Sequence, residues 1–376
     1  MESLNDYSRF LYYGMLVVLT ICIYPYVSYE VGVTSRKEMS LRVRACYWAG
    51  LVLYVAFAGF REIGYGYGGT DAYGYKMLFE VAGGTPFFEY LFHTTSFEIG
   101  YSILSWVVNR IFHSYTIMLC ILHGITYVLL AKFMRNNYTR VPGLLVSVLA
   151  TNVLLLEEFN TLRAIVSLSI ALNCIGYVVK ERYRAAILVI ILASSFHLSA
   201  LIFLPVILLR AIFGIREDFH AGLFVVLCGG IFLVVLMGIN LLGIILTAMG
   251  KGVYTEQGAI AYGVYLPALA LLLLLLAHGV RTSFDGRYAA FSMSALLMCL
   301  CCWPMQNSMA IVYRMAMDFI PVIYAVSLRG QASCQANRAS GFALLFRLAA
   351  LCYPIYRIAS FASNGIQYCG NYNFIV

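Results

Sequence analysis

The chain has 376 residues, of which 62% are hydrophobic and only 11% are charged. A soluble domain carries roughly 25% charged residues, so the composition excludes an ordinary water-soluble enzyme and predicts an integral membrane protein. The formal net charge of +8 does not mark a nucleic-acid binder, because most Lys and Arg fall in short segments between apolar runs, the pattern of a cytoplasmic face.

A membrane helix needs about 20 apolar residues, with tolerance for tilt and shielding. No period-two pattern of barrel strands appears, so the expected fold is all-α, one polytopic membrane domain over residues 1–376. In chain order, spans are predicted near 11–29, 45–60, 117–131, 142–156, 162–179, 185–196, 198–209, 219–240, 262–280, 288–304, 314–328 and 341–360, about twelve by the length rule. The first reads as a retained span, since a basic start and a small-residue cleavage site are both lacking. The Lys- and Arg-rich segments around Arg42, Lys132, Arg182, Arg216, Arg281 and Arg329 then fall on one side, the cytoplasm, with both termini outside.

One helical stretch is left over, 99–112 (IGYSILSWVVNRIF). It is short, and a crossing there would invert every later side assignment, so it is read as re-entrant or interfacial. The segment between the second and third spans, 61–116, becomes a long outer loop, and a loop of that length points to function.

The candidate chemistry lies on this outer side. Arg61 follows the second span, Arg163 opens the fifth in NTLRAIVSLSI, and Arg314 opens the eleventh in YRMAMDF. Ionisable groups at membrane depth are costly and need a partner or a role. A guanidinium offers paired N–H donors to phosphate and keeps its charge. Two or three could hold a lipid diphosphate and stabilise it as it leaves. The plainer alternative is local pairing: Arg314 with Asp318, four residues on, and Arg163 with Glu157 or Glu158.

Asp71 lies in GGTDAYGY, among glycines that allow tight turns. It either caps a helix starting near Ala72 or binds and activates a sugar hydroxyl. Tyr67, Tyr73 and Tyr75 are candidate sugar-stacking surfaces. His197, in SSFHLSALIFLP, sits at a turn between two short apolar helices and could take a proton near neutral pH. Glu98, in SFEIGYSIL, is the other carboxylate of interest, or a charge at the N-terminus of the 99–112 helix. The 11 cysteines show no metal spacing and read as small hydrophobes. No metal and no cofactor are expected.

In order, FREIGYGYGGTDAYGYKMLF, FEIGY, NTLRAIVSLSI, SSFHLSALIFLP and YRMAMDF resemble the EpsG family, the Wzy-like polysaccharide polymerases of bacterial membranes. The stretch between Arg61 and Gly69 is longer here than in the family pattern. The resemblance implies a glycosyltransferase of the inner membrane acting on its periplasmic face. It would move a growing glycan from undecaprenyl diphosphate to the next lipid-linked oligosaccharide repeat unit, alongside a flippase and a chain-length regulator. The rival readings are a flippase for lipid-linked oligosaccharides and a polyprenyl-phosphate-dependent monosaccharide transferase.

Overall fold

The computed structural model describes residues 6–28, 40–64, 67–69, 71–137, 143–159 and 161–212, together with 230, 244, 299, 300, 302, 355, 358 and 359. The predicted spans from 219–240 to 341–360 lie outside this described part, as do Arg314 and Asp318. The chain divides into two compact units: residues 1–177, 184–203 and 354–376 form the first, which holds the described residues of the candidate site, and 178–183 and 204–353 form the second.

The described residues are helical, and no strand occurs among them. Helix α1 (Asp6–Val27) and α2 (Leu41–Gly59) come first, with Ser40 accepting from the Val43 amide at the head of α2. Then follow α3 (Ala72–Gly84), the single turn α4 (Phe87–Glu89), α5 (Ile99–Phe112) and α6 (Tyr115–Asn137). Next are α7 (Gly143–Asn152), α8 (Leu162–Leu172), α9 (Ile175–Val179), α10 (Tyr183–Ser194) and α11 (Phe203–Ile212). Wider π-turns extend α4 over Tyr90–Thr94 and α7 over Val153–Glu157, and a 3₁₀ segment, Leu198–Ile202, precedes α11.

Among the described residues, four stretches are long and apolar enough to cross a membrane: Asp6–Val27, Leu41–Gly59, Tyr115–Asn136 and Leu162–Val179. They correspond to the predicted spans at 11–29, 45–60, 117–131 and 162–179. The spans expected at 142–156, 185–196 and 198–209 are helical but shorter. The helix expected at 99–112 is α5, only 14 residues long.

Packing follows the apolar faces. Helix α1 packs on α2 and α7, α2 on α6, and α6 on α8. Thr20 on α1 and Thr151 on α7 share a buried hydrogen bond of 3.2 Å. Tyr12, Phe57 and Phe159 meet as an aromatic trio with centroids 5.8–5.9 Å apart. From Ile165 to Leu172 every α8 side chain is buried, as befits a helix at the centre of a bundle. Its first turn therefore carries Arg163 into protein rather than into solvent.

In the 61–116 region α3 pairs with α5. Asn109 anchors the pair: it is buried and donates to Phe79 O at 2.7 Å. Gly83 faces it, leaving no room for a side chain, since a Cβ there would lie 2.7 Å from Asn109 Oδ1. Asn109 is thus an internal tie of the loop, whereas its neighbour Arg110 is exposed, stacks over Trp106 and donates to Thr85 O.

Candidate active site

Three segments distant in sequence meet at Glu98. One carboxylate oxygen pairs with the Arg163 guanidinium; the other accepts the Leu198 amide at 3.1 Å. The side chains of Arg163 and Glu98 are only 13% and 16% exposed. Arg163 thus pairs with Glu98, while Glu158, one of its expected partners, faces Tyr54 and His123 instead. Glu98 occupies the N-cap position of α5 without making a side-chain capping bond, because its carboxylate is committed to Arg163 and Leu198.

The guanidinium lies over three rings, 3.9 Å from the centroid of Phe97, 5.0 Å from Tyr75 and 5.6 Å from Tyr101. These rings pack edge-on or tilted against one another. A desolvated cation over such faces gains on the order of 1–2 kcal/mol. Arg163 Nε is buried and has no hydrogen-bond partner, so the pair with Glu98 leaves donor capacity unused. Burial, the largest cause, holds the Tyr101 phenol well above its ordinary range, and the Arg163 cation acts in the opposite direction. Tyr101 remains a neutral ring at working pH.

The same place joins FEIGY to the turn after α10. The Ser195 carbonyl accepts from the Gly100 and Tyr101 amides at 2.7 and 3.2 Å, which satisfies the free N–H groups at the head of α5. A Cβ at Gly100 would strike Ser195 Oγ at 2.3 Å, so only glycine fits. On α8, the Ser167 hydroxyl donates to Ala193 O at 2.7 Å and lies 3.1 Å from His197 O. His197 stands at the head of the 3₁₀ segment, half-buried, with Nδ1 accepting from the Ser199 amide at 3.3 Å and 2.8 Å from Ser199 Oγ. A backbone N–H can only donate, so the neutral ring carries its proton on Nε2.

The GGTD segment is a constrained turn. Gly64 and Tyr67 exchange backbone hydrogen bonds of 3.3 Å in an isolated antiparallel bridge. Gly68 and Gly69 then take φ of +79° and +118°. Added Cβ atoms would meet Glu62 O at 2.2 Å and Phe159 O at 2.1 Å respectively. Asp71 follows at the head of α3 without a side-chain capping bond, so its expected capping role is not the one it takes. Tyr75 is buried in the ring cluster over Arg163, Tyr67 is half-buried with its hydroxyl 3.4 Å from Glu62, and Tyr73 is exposed.

Arg61 is elsewhere: it is 1% exposed, beneath the turn. Nε donates to Gly68 O at 2.8 Å, and Nη1 to Ala58 O at 2.5 Å and to His123 Nε2 at 2.7 Å. The guanidinium lies 4.3 Å over the Phe159 ring. Beyond His123 lie Tyr54 and Glu158, each fully buried. Tyr54 and His123 each sit singly in an apolar span, where the one signal in the sequence is a lone ionisable residue at membrane depth.

The structure thus brings Arg163, Glu98, Tyr75 and the His197 turn together, and seats the Asp71 turn against Phe159 next to the start of α8. A family model described as the EpsG family matches residues 43–374. No curated protein and no solved structure matches the chain.

Proposed function

Because the chain belongs to the EpsG family of Wzy-like polysaccharide polymerases, we propose that it lengthens a glycan carried on undecaprenyl diphosphate at the periplasmic face of the inner membrane. The observation that carries the proposal is the setting of Arg163. It is a cation in an apolar box, paired with a carboxylate that an incoming phosphate can replace, and it retains an unused donor.

In this reading Arg163 and Arg314 grip the donor diphosphate. A hydroxyl of the incoming lipid-linked repeat unit attacks the anomeric carbon of the growing chain. The new glycosidic C–O bond forms as the C–O bond to the diphosphate breaks, with inversion, and the lipid diphosphate leaves as an anion. Asp71 takes the hydroxyl proton. His197 has its acceptor nitrogen occupied by Ser199, so its Nε2–H serves better as a hydrogen-bond donor to substrate oxygen than as the base. Glu98 sets the resting position of Arg163, while Tyr67 and Tyr73 meet sugar faces. Asp318, four residues after Arg314 in the sequence, is proposed as the carboxylate that orients it. Arg61 is already bonded to protein acceptors on two nitrogens, so its expected third grip on the diphosphate gives way to holding the glycine turn. The cationic charge required by the leaving group comes from arginine, and this route calls for no metal.

Purified protein incubated with lipid-linked repeat units tests the reading. A ladder of multiples is the expected product. Movement across the bilayer without ladders identifies a flippase, and a single added sugar identifies a simple transferase; either replaces this proposal.

A further inference from the structure

Beneath the glycine turn, four buried polar side chains form one directed hydrogen-bond chain, with three donors ending on a carboxylate acceptor. Arg61 Nη1 has only hydrogens to offer, so His123 Nε2, at 2.7 Å, accepts. The neutral imidazole then carries its proton on Nδ1, which faces the Tyr54 hydroxyl at 3.3 Å and Glu158 Oε1 at 3.1 Å. The Tyr54 hydroxyl in turn lies 2.5 Å from Glu158 Oε2 and 2.8 Å from Leu154 O. A cation stands at one end and a carboxylate at the other, both out of solvent.

Stability alone does not account for such a chain, since apolar side chains of similar volume often serve a core as well or better. What the polar chain does is hold Arg61 in one orientation. Arg61 Nε fixes the carbonyl of Gly68, and its face lies on Phe159. Gly69 is seated against the carbonyl of the same Phe159, and Gly69 O accepts the first amide of α3, that of Ala72, at 3.3 Å. Glu158 and Phe159 are consecutive and stand shortly before Arg163. One short segment therefore terminates the donor chain, supports the Asp71 turn and leads into the helix that presents Arg163.

We propose that Tyr54, His123 and Glu158 are positioning residues for glycan transfer: acting through Arg61, they lock the backbone of Gly64 and of Tyr67 to Gly69 and keep Asp71 in register with Arg163. This rests on the polymerase reading above. None of the three reaches solvent, so none touches substrate.

The test uses the full-length protein in proteoliposomes. Turnover of lipid-linked repeat units is measured together with hydrogen exchange at the bonded amides of Gly64, Tyr67 and Ala72. His123→Leu is expected to lower kcat on the order of 10²-fold, the effect of a small misplacement of a reacting group. KM stays near wild type, because Arg163 and its rings are untouched, and exchange at the three amides accelerates. His123→Gln, whose amide can accept from Arg61 and donate to Tyr54, recovers most of both. Tyr54→Phe removes one hydroxyl from the middle of the chain and gives an intermediate loss; it carries the test should His123→Leu fail to insert. Wild-type kcat in Tyr54→Phe, a Gln variant no better than Leu, or lost kcat with unchanged exchange would each overturn the proposal. A wild-type protein that makes no polymer rejects the polymerase reading by itself. Exchange then decides the tie alone: acceleration in the variants sustains the lock on the turn, and no change removes it.

Discussion

Arg163 and Glu98 lie 65 positions apart and form an ion pair whose carboxylate also holds the Leu198 amide. An anion already sits between a guanidinium and a backbone donor, so Glu98 occupies the place a phosphate oxygen could take. Glu98→Gln keeps an acceptor for Leu198 but removes the charge opposite Arg163. The expected result is a loss of about 1–3 kcal/mol, the scale for leaving a buried partner unsatisfied, read as a lower unfolding temperature in detergent. Glu98→Ala removes both contacts and should cost more. Equal losses would mean that the Leu198 contact has no weight.

Arg163 itself separates charge from shape. Arg163→Gln should abolish polymer in a complemented null strain while the protein still inserts, and Arg314→Gln should do the same. Arg163→Lys keeps the charge but loses the planar fork and much of the stacking on Phe97, so short ladders at strongly reduced yield are expected. Wild-type chain lengths from Arg163→Gln would remove Arg163 from the site.

The glycine turn gives a prediction in which side-chain chemistry plays no part. Gly68 has φ of +79°, and a Cβ there meets a backbone carbonyl at 2.2 Å. Gly68→Ala should cost more than about 1 kcal/mol, because alanine in that region is strained even where space is open. Gly74, with nothing within 4 Å of an added Cβ, is the control: Gly74→Ala lies inside a helix and should be neutral or mildly stabilising. Thermal unfolding and turnover measured together check both.

Much of this was legible in the sequence, for identifiable reasons. The long spans declared themselves because lipid demands unbroken apolar runs. The α5 helix and the start of α3 were readable from pattern and from the glycines before Asp71. Arg163, Glu98 and His197 drew notice as polar groups in apolar surroundings. Their pairing was not readable: Glu157 and Glu158 are nearer to Arg163 in sequence, and only the fold brings FEIGY beside α8. The role of Arg61 was hidden likewise. An arginine at the end of a span looks the same whether it faces a lipid diphosphate or turns inward to His123, and the choice depends on acceptors contributed by Ala58 and Gly68.

Sidedness yields the last prediction. Helix α6, counted over Tyr115–Asn136, rises about 33 Å at 1.5 Å per residue, which matches a hydrocarbon core of about 30 Å. A helix of that length can place its two ends on opposite sides of a bilayer. Helix α3 belongs to the first end, because the Tyr115 hydroxyl lies 3.4 Å from Ala72 O and its ring packs on Phe79. Exposed Tyr73 and exposed Asn136 thus mark the two faces. The proposed orientation puts Tyr73 in the periplasm. In a cysteine-free background, an impermeant maleimide should label Tyr73→Cys in intact spheroplasts and Asn136→Cys only after permeabilisation. The reverse pattern would turn the protein over and move the proposed reaction to the cytoplasm. Labelling of both in intact spheroplasts would deny α6 its crossing.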